Sequence, residues 1–269
     1  MTPGTVRRRT GTPLDARQPG QQARRVAESA GQVAVVVGGA SGIGAACAAA
    51  FRAAGDTVVV ADLGAGADAV CDVTAEDQVA ALFDEVVARH GRVDAVVNSA
   101  GTSTLAAVVD HDLAEWRRVL DVCLTGAFLV LKHAGRVLGA GGSVTSLTSL
   151  NARQPGGGLA AYCSAKAGLA MLTEVAALEL APRGIRVNAV SPGLVATPLT
   201  APALEIDGIE ADYLANTPLG RAGTAEEVAE AVLFCARAAW LTGEVLDLNG
   251  GAHLQRYPDL LGHVARAFS

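Results

Sequence analysis

A short buried-strand run that gives way at once to glycines and a helix is the feature that most narrows the fold. Gln32-Val33-Ala34-Val35-Val36-Val37 is apolar after its first residue and rich in β-branched side chains. A run of that length without polar alternation reads as a strand covered on both faces. Gly38-Gly39-Ala40-Ser41-Gly42-Ile43-Gly44 follows, and an Ala-rich helical stretch extends from 43 to about 54. Gly38, Gly42 and Gly44 give the spacing G-x-x-x-G-x-G. Glycines there let the backbone turn sharply and come close to a pyrophosphate, and a helix N-terminus offers free N–H groups and a partial positive charge. Gly38, Ser41, Gly42, Ile43 and Gly44 are therefore a candidate phosphate cradle. A plain tight turn is the bland alternative.

The pattern then repeats. Short apolar strands are expected over 57–61, 69–73, 93–97, 143–148, 185–190 and 244–248. Helical periodicity covers 75–90, a single long stretch of about 113–138 broken only by Gly126 and Gly135, 160–180 before Pro182, and 224–238. The last opens with a capping box, Thr224-x-x-Glu227. Strand–helix alternation with wholly apolar strands predicts an α/β fold: one doubly wound parallel sheet with helices on both faces. Residues 1–31 lack periodicity and are rich in Pro, Gly, Gln and Arg, so they are expected to lie outside the fold as a disordered extension. One domain is expected over 32–269.

Charge and cysteine usage exclude several roles. The chain carries a net −6, made of +4 on its first 30 residues and −10 on the rest. So acidic a body is a poor nucleic-acid partner. No apolar run reaches the roughly 18 residues of a membrane helix, and no signal peptide is expected after Arg7-Arg8-Arg9. The five cysteines are odd in number and form no C-x-x-C pair, so neither a disulfide framework nor a metal site is expected. Reduced thiols in a cytoplasm fit best.

Two further signals point to chemistry. Asp62 ends the second strand, 18 residues after Gly44. A carboxylate there accepts from adenosine ribose hydroxyls and repels a 2′-phosphate, and no base follows in Leu63-Gly64-Ala65-Gly66 to receive one. NAD is expected over NADP. Tyr162 and Lys166 stand four apart on a helix, on one face. A free tyrosine titrates near ~10, and a neighbouring cation stabilises its phenolate. Tyr162 is then a candidate proton donor and acceptor. The chain holds only two lysines, Lys132 and Lys166, against 19 arginines, which marks the ammonium out. A surface tyrosine lying on a lysine stem is the bland reading.

Together these residues resemble the short-chain dehydrogenase/reductase family over about 32–251. The resemblance also rests on Asp72-Val73, on Asn98-Ser99-Ala100-Gly101, and on Ser149 placed 13 residues before Tyr162. Pro192-Gly193, with Val195 and Thr197 behind it, and Leu219-Gly220-Arg221, Thr242-Gly243 and Gly250-Gly251 complete it. The resemblance implies a Rossmann-like sheet and direct hydride transfer between a nicotinamide and a carbon bearing an alcohol or ketone. It implies Ser149, Tyr162 and Lys166 as the catalytic set. Ser149 would hold the substrate oxygen, Tyr162 would be the general acid/base, and Lys166 would bind the nicotinamide ribose. The cofactor-binding set it implies is the glycine loop, Asp62, Asp72, Val73, Asn98, Ala100, Gly101, Tyr162, Lys166, Pro192, Gly193, Val195 and Thr197. It also implies a homotetramer built through the two long helices and C-terminal elements.

The chain departs from the family at three positions. Val37 stands for the usual Thr before the first Gly, and Asn249 for an Asp. Cys123 stands where the family has an Asn that helps hold a proton-relay water. A thiol is a poor hydrogen-bond partner, and Cys123 reads as a buried, inert group, not a nucleophile. The substrate cover is expected over 194–218, with Glu205, Asp207, Glu210 and Asp212 and no base. A neutral secondary alcohol or ketone, cyclic or open-chain, suits such a lid better than a phosphate or carboxylate. Arg153 is the one base near Ser149. A 3-oxoacyl-thioester reductase of the same family and a non-catalytic NAD-binding protein are the competing readings. The tail, with Leu260, Leu261, Val264 and Phe268 at helical spacing, is expected to pack on a neighbouring subunit.

Overall fold

Each apolar run becomes a strand of one sheet in the computed structural model, which describes residues 31–268. The strands are β1 (Val33–Val37), β2 (Thr57–Asp62), β3 (Ala69–Val70), β4 (Ala95–Asn98), β5 (Ser143–Leu147), β6 (Arg186–Pro192) and β7 (Val245–Leu248). All pairs are parallel, in the order β3-β2-β1-β4-β5-β6-β7. The chain runs outward from β1 to β3 and then returns to the other side of β1. That reversal opens a crevice at the carboxyl ends of β1 and β4, where ligands of open α/β sheets bind. The expected extension over 1–31 lies outside the described residues except for Gly31. A Cβ on Gly31 would stand 1.9 Å from the Gly55 carbonyl oxygen, so this residue packs against the domain.

The strands bury both faces because their side chains alternate between two cores. Val33, Val35 and Val37 join Phe83, Val130 and Ile185 on one side. Ala34 and Val36 join Cys47, Phe51 and Val232 on the other. Each fully buried side chain of this size contributes roughly 1.5–3 kcal/mol. Helices α1 (Gly42–Ala53) and α8 (Ala225–Arg237) cover the second core. Helices α2 (Glu76–His90), α4 (Gly126–Val137) and α5 (Ala160–Leu180) cover the first. The capping box at Thr224 and Glu227 forms with both of its hydrogen bonds.

The structure corrects three expectations. Strand β3 stops at Val70, not 73. Asp72 turns the chain there by accepting from the Thr74 N–H at 2.9 Å and the Thr74 hydroxyl at 2.8 Å, an Asx-type turn that competes with the ladder. The long helix is not uniform. Between α3 (Leu113–Leu120) and α4, residues Asp121–Thr125 form a π-helical segment. Gly126 does not break the helix; its missing side chain lets the helix approach Val73, whose Cγ2 would lie 2.7 Å from a Cβ there.

The third correction concerns the tail. Helix α9 (Leu260–Ala267) packs on its own chain: Leu260 is buried with Leu159 and Ile209, and Leu261 lies against Gly157 and Gly158. The lid between β6 and α8 carries two short helices, α6 (Ala201–Leu204) and α7 (Ile209–Ala215). Its Asp212 is not left as bare acidity. The carboxylate accepts from Arg256 at 2.6 Å, from the Asp259 N–H at 2.9 Å and from the His263 ring at 3.2 Å. The bases absent from the lid are supplied by the tail.

Two outcomes follow. Ala at 126 gains about 1 kcal/mol of helix propensity but meets Val73, and overpacking costs about 1–3 kcal/mol. Gly126→Ala is expected to lower the urea midpoint, and Val73→Ala in the same chain to recover part of the loss. The second outcome concerns Asp212. Burial pushes its carboxyl up, but the Asp259 N–H, Arg256 and His263 outweigh that and hold it below the usual carboxylate range. Its pairing therefore stabilises the fold above the unfolded pKa of about 3.9 and is lost as pH falls through the lower folded value. Asp212→Asn is expected to be less stable than the parent at neutral pH, with the gap in urea midpoints closing on acidification. A pH-independent gap contradicts this assignment.

Candidate active site

The carboxyl ends of β1, β2, β4, β5 and β6 open into one cleft. Gly38 and Gly42 adopt φ of +73° and +51°, the left-handed region that favours glycine. A Cβ on Gly38 would stand 2.5 Å from the Ala100 amide nitrogen, so this glycine lets the loop after β4 close on the loop after β1. Ser41 opens α1 without capping it through its side chain. Ser41, Gly42 and Ile43 line the cleft at that helix end, with Thr197 across from them. Gly44 does not line it. Its Cβ would fall 2.0 Å from the Gly38 carbonyl oxygen, so it seats the helix beneath the loop.

Asp62 faces the cleft from the end of β2. One carboxylate oxygen accepts from the Ala40 N–H and the other from the Gly64 N–H, each at 2.9 Å. The side chain thus fixes the glycine loop, and each oxygen keeps acceptor capacity for a ligand. Asp72, Val73, Ala100 and Gly101 line the same cleft. Asn98 sits below it, buried, with its Oδ1 lacking a partner among the described residues.

Ser149, Tyr162 and Lys166 meet on the other side of the cleft. Ser149 caps the 3-10 turn Leu150–Ala152, and its Oγ accepts from the Asn151 N–H at 3.2 Å. Tyr162 lies in the first turn of α5, with Lys166 one turn on. Lys166 is only 4% exposed. Its Nζ donates to the Leu147 carbonyl at the end of β5, at 2.7 Å, and stands 5.6 Å from the Tyr162 ring centroid. An ammonium has three donors, so one protein acceptor leaves donors for a ligand. Pro192, Gly193, Val195 and Thr197 complete the wall, and among the described residues Lys166 is the only Lys or Arg lining the cleft.

Sequence reasoning missed several lining residues, among them Leu63, Cys71, Leu147, Thr148 and Leu199. Most adjoin a named motif at a strand end, where following the strand outward finds them. Val122 also lines the cleft, and it does so from the π segment, which no periodicity announced.

Arg153 and Cys123 have partners that the sequence does not announce. Arg153 does not face the cleft; it forms an ion pair with Asp247. Cys123 is not a weak bystander. Its Sγ accepts from the Thr102 N–H at 3.3 Å and donates to the Thr102 carbonyl at 3.1 Å, fixing the loop after β4. Arg118 holds the same loop through the Thr102 hydroxyl at 2.6 Å. All five cysteines are free. Burial pushes the Cys47 thiol up to about 12, and burial followed by the Asp72 charge pushes Cys71 to about 11, so both stay protonated. The chain's three tyrosines, Tyr162, Tyr213 and Tyr257, pack together around Leu159, Ile209 and Leu260.

Comparison with known proteins agrees with this geometry. Residues 38–253 match a family model described as enoyl-(acyl carrier protein) reductase. The chain is 42% identical over 240 residues to the cis-4-hydroxycyclohexanecarboxylate dehydrogenase of Sinomonas cyclohexanicum, covering 82% of this chain and 96% of that one. It is 40% identical over 251 residues to the mitochondrial (-)-isopiperitenol/(-)-carveol dehydrogenase of Mentha piperita, covering 84% and 95%. A solved short-chain type dehydrogenase/reductase from Mycobacterium ulcerans superposes with a TM-score of 0.83 at 33% identity, covering 88% of this chain and 95% of that one. A seven-stranded parallel sheet, a glycine cradle at its switch point and relatives matched over nearly their whole length make this chain a member of the short-chain dehydrogenase/reductase family.

Proposed function

We propose that the protein interconverts a neutral secondary alcohol on a ring and the corresponding ketone, with NAD as its preferred cofactor. The observation that carries this reading is the buried Lys166 beside Tyr162 and Ser149 at the mouth of a glycine-cradled cleft. The residues fit a nicotinamide dinucleotide. Glycines stand where a Cβ would meet backbone, Asp62 retains acceptors for ribose hydroxyls, and Lys166 retains donors. The bound dinucleotide supplies the hydride acceptor for oxidation and the donor for reduction. The loop from Gly38 to Ile43 holds its phosphates, Asp62 its adenosine ribose, Lys166 its nicotinamide ribose, and Pro192, Gly193, Val195 and Thr197 its nicotinamide end.

In the oxidative direction, Tyr162 takes the alcohol O–H proton as the C–H electron pair leaves with the hydride and the C=O bond forms. Reduction reverses each movement, and Tyr162 returns the proton. Ser149 donates a hydrogen bond to the substrate oxygen and steadies its developing charge. A ring alcohol is supported by the relatives named for one, of which the cyclohexanecarboxylate enzyme takes an anion; neutrality is supported by the state of the nearby charges alone. Arg153 is taken up by Asp247, and Arg256 by Asp212. NAD is supported by Asp62 and by the lack, among the described residues, of any Arg lining the cleft beside it. An apolar face with Phe128 on α4 and Met171, Val175 and Leu178 on α5 is exposed. It supports a homotetramer, and free thiols suit a cytoplasm. Among the described residues no helix is long and apolar enough to cross a membrane.

Tyr162→Phe is expected to lower kcat by about 10²–10⁴-fold, the usual contribution of a general acid/base, while NADH binding measured by fluorescence is retained. A variant that keeps turning over removes Tyr162 from the mechanism. A panel of (-)-carveol, cyclohexanol, cis-4-hydroxycyclohexanecarboxylate and D-threitol, each run with NAD and NADP, tests the substrate and cofactor. The ring alcohols without charge and NAD are expected to give the highest kcat/KM. A preference for NADP overturns the reading of Asp62, and a preference for the carboxylate overturns the neutral site.

A further inference from the structure

Ser149 can assist the reaction only if its hydroxyl proton is free to meet the substrate oxygen. Its Oγ already accepts the Asn151 N–H at 3.2 Å, which is compatible with donating elsewhere. The Ser149 hydroxyl already donates to Oδ1 of the same Asn151, but in a long, weak bond of 3.5 Å. The Asn151 amide is held in this orientation by its Nδ2, which donates to the Gln154 carbonyl at 3.1 Å. A small rotation would shorten that bond and hold the serine proton.

A second donor prevents that. The Tyr257 hydroxyl, from the C-terminal tail, donates to Asn151 Oδ1 at 3.1 Å. Its own oxygen stands 2.7 Å from the Tyr213 hydroxyl on lid helix α7. Because the Tyr257 proton is committed to Asn151, Tyr213 is the donor in that pair. The result is a directed relay from the lid through the tail to the residue beside Ser149. The tail is seated for this purpose. A Cβ on Gly156 would meet the Tyr257 ring at 2.7 Å, and one on Gly158 would meet Leu261 at 3.0 Å. Burial, reinforced by Tyr213, pushes the Tyr257 phenol far above its ordinary range, so it remains a donor at any working pH.

We propose that Tyr257 is a positioning residue for Ser149: as the closer donor to Asn151 Oδ1, at 3.1 Å against 3.5 Å, it keeps the serine's bond to that oxygen long and weak and leaves the serine proton for the substrate oxygen. This rests on the reading of Ser149 given above. Tyr257 touches no reacting atom in this scheme. Its effect belongs to the transition state, where the substrate oxygen carries most charge, so it appears in kcat more than in KM.

The test is steady-state reduction of cyclohexanone by NADH in the full-length protein. Removing a whole oxyanion donor costs about 10²–10³ in kcat, and partial capture of its proton costs less, so Tyr257→Phe is expected to lower kcat about tenfold with KM changed less than about twofold. Asn151→Ala removes the competing acceptor. The double variant Asn151→Ala/Tyr257→Phe is therefore expected to recover the kcat of Asn151→Ala alone. A merely structural role for Tyr257 predicts a double variant slower than either single one. Tyr213→Phe leaves the Tyr257 proton in place and is expected to keep kcat within about twofold of the parent. An unchanged kcat in Tyr257→Phe, a double variant without recovery, or an equal loss in Tyr213→Phe overturns the proposal. Ser149→Ala separates the two levels. If it turns over normally, the reading of Ser149 has failed and the proposal with it. If it is inactive while Tyr257→Phe is normal, only the proposal has failed.

Discussion

The buried ammonium of Lys166 is the constraint on which the rest of the site depends. Taking such a charge out of water costs several kcal/mol even after relaxation. Among the described residues no carboxylate forms an ion pair with it. The Leu147 carbonyl and the face of Tyr162 offset part of that cost. The hydrogen bond to Leu147 ties the first turns of α5 to the end of β5, two residues before Ser149. One bond thus fixes the relative placement of the three side chains, and the unspent donors of the ammonium are an incentive for a polyhydroxyl ligand to bind beside it.

The same economy of close approach appears at the glycines. Gly44 allows α1 to sit under the loop, Gly38 brings that loop to Ala100, and Gly126 brings the helix after the π segment against Val73. Gly38 and Gly44 meet backbone and Gly126 meets the stiff Val73 side chain, so these segments around the cleft are held by close contacts, not by flexible groups. The π segment adds one more such adjustment. It presents Val122 to the cleft and Cys123 to Thr102. With its proton on the Thr102 carbonyl and a lone pair on the Thr102 N–H, the thiol at 123 acts as a loop clamp. It has little left to offer a water beyond Lys166.

Much of this was legible in the sequence, for physical reasons. Buried parallel strands are largely apolar, so 33–37 and 57–61 announce themselves, and 185–190 does so despite Arg186 and Asn188. The glycine loop and the Tyr162–Lys166 pair are local in the chain, and local spacing survives folding. What failed to show was set by distant partners or by hydrogen-bond competition. Asp72 ended β3 by bonding Thr74, which composition alone does not reveal. The π segment differs from an α-helix by a single inserted residue and leaves the apolar periodicity almost intact. Arg153 looked free because Asp247 lies 94 residues away.

The tail illustrates the same limit and alters the picture of the substrate side. Its apolar spacing correctly announced a helix that needed cover, but spacing does not say whose surface supplies it. Asp212 and the glycines at 156–158 supply it in the same chain, through charges and contacts that only the fold brings together. The consequence is electrostatic. Once Arg256 and His263 meet Asp212, and Arg153 meets Asp247, these bases around the lid are spent on carboxylates. What remains to face a substrate there is phenol, amide and hydrocarbon. Such a wall would discriminate by shape and by single hydrogen bonds, which favours the proposed ring substrate with one reacting oxygen over a flexible, charged chain.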